Sequence, residues 1–80
     1  MPKRSTRNDL QSRFARNVSN RRRAMGLSQD DLALRAGLAS RHLQKIEAAS
    51  VNVTLKTIAA LGSALEVDPG DLLSKQSDDR

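Results

Sequence analysis

The sequence predicts an all-α domain, and three observations carry that prediction. The apolar residues are mostly Leu, Ala, Val and Ile, with one Phe and neither Trp nor Tyr, a helix-forming palette with little to build a sheet from. Apolar positions recur three and four residues apart. Each run is bracketed by residues that begin helices (Asn8, Ser28, Ser40, Thr54, Asp68) or end them (Gly26, Gly37). Eighty residues make one domain with a modest core.

The chain is expected to form five helices. Residues 1–7 (MPKRSTR) have no apolar anchor and are expected to form a disordered basic arm. Asn8 is a candidate cap for the first helix, with Leu10, Phe14 and Val18 in one stripe, ending before Gly26. Ser28 caps the second. Asp31 three residues on echoes a capping box, and Asp30 and Asp31 suit the positive end of the helix dipole. Leu32, Ala33 and Ala36 form its inner face, and Gly37 stops it in a left-handed conformation. Ser40 is expected to cap the third helix, in which Leu43 and Ile46 face inward. Thr54 caps the fourth, whose apolar face is Leu55, Ile58, Ala59, Leu61 and Leu65. Gly62 within it either weakens the helix or lets a neighbour pack close. Asp68-Pro69 opens a fifth, with Pro at its first position and Leu72 and Leu73 apolar. Residues 8–74 thus form the folded domain, and 75–80 a frayed polar tail.

Composition narrows the function classes. There is no cysteine and one histidine, His42, which excludes a structural zinc site, and no metal or cofactor is expected. No apolar run approaches a membrane span, and the basic N-terminus is not followed by the apolar stretch of a secretory signal. The expectation is a soluble cytoplasmic protein. The net charge is +5 and unevenly spread. Residues 1–23 carry eight basic side chains against Asp9, a surplus of seven; residues 24–80 carry six basic and eight acidic, a deficit of two. A strongly basic chain fits a polyanionic partner, although a solubilising tail would look similar.

SQDDLALRAGLASRHLQKIE, residues 28–47, has the organisation of a helix-turn-helix unit: two short helices about a glycine-containing turn. Ala33 leaves room for the helices to approach, and Leu38, Leu43 and Ile46 fill the angle between them. With Arg22, Gly26-Leu27-Ser28-Gln29, Leu32-Ala33, Ala36-Gly37-Leu38, Ile46-Glu47 and the run from Thr54 to Leu73, the chain resembles the Cro/cI-type (XRE) helix-turn-helix family of lambda-repressor-like DNA-binding domains, over roughly residues 10–74. The resemblance implies a five-helix lambda-repressor-like fold, recognition of double-stranded DNA through the third helix, and a homodimer on a near-palindromic operator.

Helix geometry and the resemblance together nominate contacts. Opposite Leu43 and Ile46, the residues Arg41, Gln44, Lys45 and Ala48 form an outward stripe. In a helix-turn-helix that stripe enters the major groove with its N-terminal residues on base edges. Arg41 suits guanine, Gln44 adenine, and Lys45 guanine or phosphate. Ser40 reaches a base edge or a phosphate unless it is a plain cap, and His42 lies on the flank. Gln29 matches a family glutamine that meets the DNA backbone and braces the recognition helix. Arg13, Arg16, Asn52 and Lys56 are either phosphate contacts or solvated surface residues. The family pairs the positions of Arg22 and Glu47 in a largely buried salt bridge, so Arg22 is expected to be structural.

Three residues depart from the family pattern. Arg21 stands where a core Leu or Ile is usual, so either the first helix is rotated or the arginine stem lies on the core with its head in solvent. Ala49 replaces a glycine, and Val53 a common proline, which puts the loop 48–53 in question. Leu65, Val67, Leu72 and Leu73 either pair two copies or complete the monomer core.

The function read from these features is a sequence-specific DNA-binding regulator, most simply a repressor. An antitoxin or a restriction–modification controller protein is a variant of the same reading. A protein-interaction module would present an apolar or acidic stripe on the third helix. An enzyme is rejected, because no nucleophile–base pair, cleft carboxylate pair or metal-ligand cluster stands out.

Overall fold

The computed structural model describes residues 6–75, with side chains from residue 10 onward. Residues 1–5 of the expected arm and 76–80 of the expected tail lie outside the described residues. The described residues form four α-helices: α1 Thr6–Ala24, α2 Gln29–Ala36, α3 Ser40–Glu47 and α4 Leu55–Ala64. They are followed by one 3-10 turn, Pro69–Leu72. No strand occurs among the described residues.

Two helix starts differ from expectation. α1 begins at Thr6, so Asn8 lies inside it and residues 6 and 7 belong to its first turn. No Gly or Pro stands there to stop the helix from running upstream. The N-cap of α3 is Ala39, with no side-chain cap, and Ser40 is its first helical residue. The other caps form as their local chemistry dictates. The Asp31 N–H donates to Ser28 Oγ at 3.0 Å, and the Ser28 N–H donates back to the Asp31 carboxylate at 3.0 Å. Thr54 Oγ1 accepts from the Thr57 N–H at 3.1 Å.

All four helices end in one hydrogen-bond pattern, in which a left-handed residue lets two N–H groups turn back onto the last turn. Gly26 (φ 74) and Gly37 (φ 72) fill that position after α1 and α2. After α3 and α4 it is filled by Ala49 (φ 59) and Glu66 (φ 61). The paired bonds are intact in both. Ser50 N–H reaches Lys45 O and Ala49 N–H reaches Ile46 O at 3.0 Å each; Val67 N–H reaches Gly62 O at 3.0 Å. The loop after α3 therefore keeps the glycine-type turn without the glycine.

The expected fifth helix is a single 3-10 turn. Asp68 caps it by accepting from the Gly70 N–H at 2.8 Å, and Pro69 opens it. Gly70 at its centre is a poor helix former, and one turn is too short to propagate. The turn is held from outside. Asn17 on α1 is buried, and its Nδ2 donates to Leu72 O and Ser74 O at 2.9 Å each. Gly62 lets Pro69 lie directly on α4: a Cβ at Gly62 would stand 2.9 Å from Pro69 Cγ and 3.0 Å from its Cα.

The core comprises Phe14, Val18, Leu32, Ala33, Leu43, Ile46, Ile58, Leu61, Ala64, Leu65 and Leu72. Two expected interface residues are thereby corrected: Leu65 is 0 % and Leu72 2 % exposed, so both complete the monomer core rather than face a second copy. The close packing of Pro69 on Gly62 folds that segment inward. Val67 and Leu73 are half-buried at the core's edge. Leu55 (82 % exposed) and Ala59 are not on the inner face of α4, and Leu10 is 41 % exposed.

The half-buried Arg21 directs its head to a backbone carbonyl. Its Nε donates to the Leu65 carbonyl, the C-cap of α4, at 3.0 Å. Arg35 of α2 approaches the same helix end, with Nη1 3.5 Å from Ala64 O. Two guanidinium groups thus meet the negative end of the α4 dipole, a favourable arrangement.

Candidate nucleic-acid interface

α3 is fixed in rotation by what it buries. Leu43 and Ile46 are inside, and the opposite stripe, Arg41, Gln44, Lys45 and Ala48, is exposed. Among these are two cations and a carboxamide, all able to donate hydrogen bonds to an electronegative surface. His42 is half-buried beside the stripe.

The C-terminal end of α3 is fastened by Glu47. Arg22 Nε donates to Oε2 at 2.8 Å and Nη2 to Oε1 at 3.0 Å, a two-pronged ion pair between α1 and α3. The side chains are 11 % and 5 % exposed. Arg22 Nη1 donates to Leu27 O at 2.9 Å, so one guanidinium also holds the α1–α2 turn. Ser19 Oγ donates to Glu47 Oε1 at 2.8 Å, and Gln29 Nε2 donates to the same oxygen at 3.0 Å. Burial pushes the Glu47 carboxyl up, but the hydrogen bonds from Arg22, Gln29 and Ser19, with the nearby positive charge, outweigh it and hold the group below its ordinary value. The hydrogen bond to Glu47 raises Arg22.

Gln29, expected to meet the DNA backbone and to brace the third helix, donates to Glu47 and braces α3 from α2. The Asp31 carboxylate sits at the same end of α2, held below its usual range first by the Ser28 N–H. Ser40 is engaged as well: its hydroxyl donates to Asp30 Oδ1 at 2.6 Å. Asn52 Oδ1 accepts from Gln11 Nε2, which also donates to Val51 O at 3.2 Å and ties the loop after α3 to α1. Arg13 is half-buried and Arg16 exposed on α1; Lys56 is exposed in the first turn of α4. These three stand on elements other than the exposed stripe of α3.

Four residues of this framework escape a reading of the sequence alone. Ser19 lies one turn before Arg22 on α1, a spacing that could have signalled a shared partner. Asn17 sits between Phe14 and Val18, and a polar residue at an apolar position is a signal in its own right. Nothing local marks Gln11, and Asp30 reads as an acidic residue of the first turn of α2 with no sign of its bond to Ser40.

The helix-turn-helix family model matches residues 18–72, and the chain belongs to that family. Over 68 residues it is 35 % identical to the control protein C.SmaI of Serratia marcescens, an alignment covering 85 % of this chain and 81 % of that one. The restriction-modification controller protein C.AhdI from Aeromonas hydrophila is 34 % identical; its structure superposes with a TM-score of 0.75 over 78 % of this chain and 94 % of that chain. The hypothetical transcription factor NHTF from Neisseria is 28 % identical, with a TM-score of 0.81 over 92 % and 85 % of the two chains. The protein is a DNA-binding transcription regulator of the helix-turn-helix class. No helix among the described residues is long and apolar enough to cross a membrane.

Proposed function

We propose that this chain reads a specific duplex DNA sequence by laying α3 in the major groove. One observation carries the reading: α3 is locked in rotation by buried Leu43 and Ile46, so Arg41, Gln44 and Lys45 are presented together on its exposed face. In this reading Arg41 is bidentate to guanine, Gln44 reads adenine, and Lys45 takes guanine or phosphate, with Ser40 at the helix start. Arg13, Arg16, Asn52 and Lys56 contact the backbone, which sets register and supplies salt-dependent affinity. Gln29 serves as the brace between α2 and α3.

The regulator acts as a homodimer on a near-palindromic operator in the cytoplasm, most simply repressing by occupying a promoter. A single small module buries too little surface to bind one site tightly, and two copies on half-sites about one helical turn apart remove that deficit. Val67 and Leu73 are the half-buried apolar residues left for the contact. Likeness to two proteins described as control or controller proteins favours a controller role of the same kind over an antitoxin.

Selection from a random duplex library at near-physiological salt tests this. An enriched inverted repeat that lowers expression from a promoter containing it is expected. Salt-sensitive binding with no enriched motif would overturn the reading.

A further inference from the structure

The Ser40 hydroxyl stands at the start of the candidate recognition helix, and its hydrogen is committed. A carboxylate has no proton to give, so in the 2.6 Å contact with Asp30 Oδ1 the serine is the donor. What Ser40 has left for another molecule is lone pairs. A phosphate offers only acceptor oxygens to such a group, and the Asp30 charge beside it repels phosphate further. While the pair holds, the Ser40 hydroxyl has no hydrogen to give a phosphate oxygen.

We propose that the Asp30–Ser40 pair is a specificity device, in which Asp30 sets Ser40 as an acceptor-only reader that selects an amino-bearing base. In the major groove the donors are adenine N6 and cytosine N4; guanine N7 and O6 and thymine O4 are acceptors. Ser40 so held accepts from adenine or cytosine and meets guanine or thymine acceptor to acceptor. Asp30 is a positioning residue, acting through Ser40. It is well placed for that task. It follows Gln29, whose amide is fastened to Glu47, and precedes Asp31, whose carboxylate is fastened to the Ser28 N–H. α3 has no side-chain cap of its own, so the Asp30 carboxylate also places negative charge at the positive end of the helix that carries Ser40. The inference rests on α3 entering the major groove.

The experiment is library selection with the full chain and with Ser40→Ala and Asp30→Ala, followed by titration of duplexes that differ at one base pair. The wild type is expected to favour adenine or cytosine over guanine and thymine by roughly fivefold at one position, the worth of one hydrogen bond. In Asp30→Ala the freed hydroxyl donates as well as accepts. The preference collapses toward unity there alone, while the mean affinity holds or rises as a negative charge leaves. Ser40→Ala, which keeps Asp30, flattens the same position and no other. A purely structural role would instead lower affinity evenly across all sequences. A motif unmoved in both variants, or an even loss, overturns the assignment of this pair and leaves groove reading standing. A wild type that enriches no motif removes groove reading itself, and this inference with it.

Discussion

Arg22 and Glu47 stand 25 positions apart in sequence, yet Arg22 Nε lies 2.8 Å from Glu47 Oε2 and Nη2 lies 3.0 Å from Oε1. The same carboxylate takes Ser19 and Gln29, so one acidic group joins α1, α2 and α3. Glu47→Ala would strand a guanidinium that is largely out of water and orphan two further donors. Breaking a buried pair from one side costs about 3–5 kcal/mol. A domain this small loses about 4–8 °C of melting temperature per kcal/mol, so the variant is expected to melt at least ten degrees lower, by roughly the product of those figures. An unchanged thermal melt by circular dichroism would remove the pair as a structural support.

The same group sets a pH dependence. Glu47 is held below its ordinary value in the folded chain, so the unfolded chain binds its proton first as pH falls. Its contribution is whole above the usual carboxylate range near 4.5 and is lost as pH drops through the lowered folded value. Glu47→Gln lacks this titration. The stability gap between wild type and Glu47→Gln, from urea unfolding, should therefore be widest at neutral pH and narrow steadily below pH 4.5. A gap of constant width between neutral and acidic pH would contradict the assignment.

The legible features of this protein are those set by neighbours in sequence. The Ser28–Asp31 box, the Thr54 cap and the Gly37 stop each depend on residues within one turn, and each forms where the chain predicts it. The inner faces of α2 and α3 follow from spacing alone. The long-range Arg22–Glu47 pair was expected only through the family resemblance, and the other long-range choices were not legible. An apolar Leu65 or Leu72 satisfies a core and an interface equally well, and only the tertiary packing, which leaves them 0 % and 2 % exposed, decides for the core. Arg21 looks misplaced until the α4 carbonyl it meets is known, 44 positions later. In the candidate interface, the stripe Arg41, Gln44 and Lys45 is readable from helix geometry. The engagement of Ser40 by Asp30 is not, because it depends on how two helices cross.

Gly62→Ala sets two principles against each other. Helix propensity favours alanine over glycine by about 1 kcal/mol in a helix interior. The new Cβ, however, would stand 2.9 Å from Pro69 Cγ and 3.0–3.1 Å from its backbone Cα and N. The ring and the backbone it constrains cannot swing aside as a flexible side chain would, and overpacking of this kind costs about 1–3 kcal/mol. The clash should win, giving a net loss in denaturant unfolding. A gain would show that the 3-10 turn shifts freely on α4.

Ala49→Gly should move stability the other way. Ala49 holds φ 59, where a Cβ costs roughly 1–2 kcal/mol and glycine costs little. The greater freedom of glycine in the unfolded chain offsets part of that, leaving a net gain of about 0.5–1 kcal/mol. The turn's own bonds, Ser50 N–H to Lys45 O and Ala49 N–H to Ile46 O, are made by backbone and survive the change. The expected result is a higher urea midpoint with an unchanged slope. A lower midpoint would mean that the alanine methyl packs usefully in the loop.

Arg41→Ala and Lys56→Ala separate the two kinds of DNA contact proposed here. Arg41 stands on the exposed stripe of α3, and Lys56 in the first turn of α4. If Arg41 reads a base, its loss should weaken the selected site by about 1–3 kcal/mol and relax preference at one base position. Binding to unrelated duplexes should fall far less. If Lys56 meets a phosphate, its loss should weaken every sequence alike and reduce the slope of log affinity against log salt by about 1. Fluorescence titrations on the selected site and on a scrambled duplex, at three salt concentrations, distinguish the two. Preference unchanged at every position in Arg41→Ala would remove it as a reader. An unchanged salt slope in Lys56→Ala would return that lysine to the solvated surface.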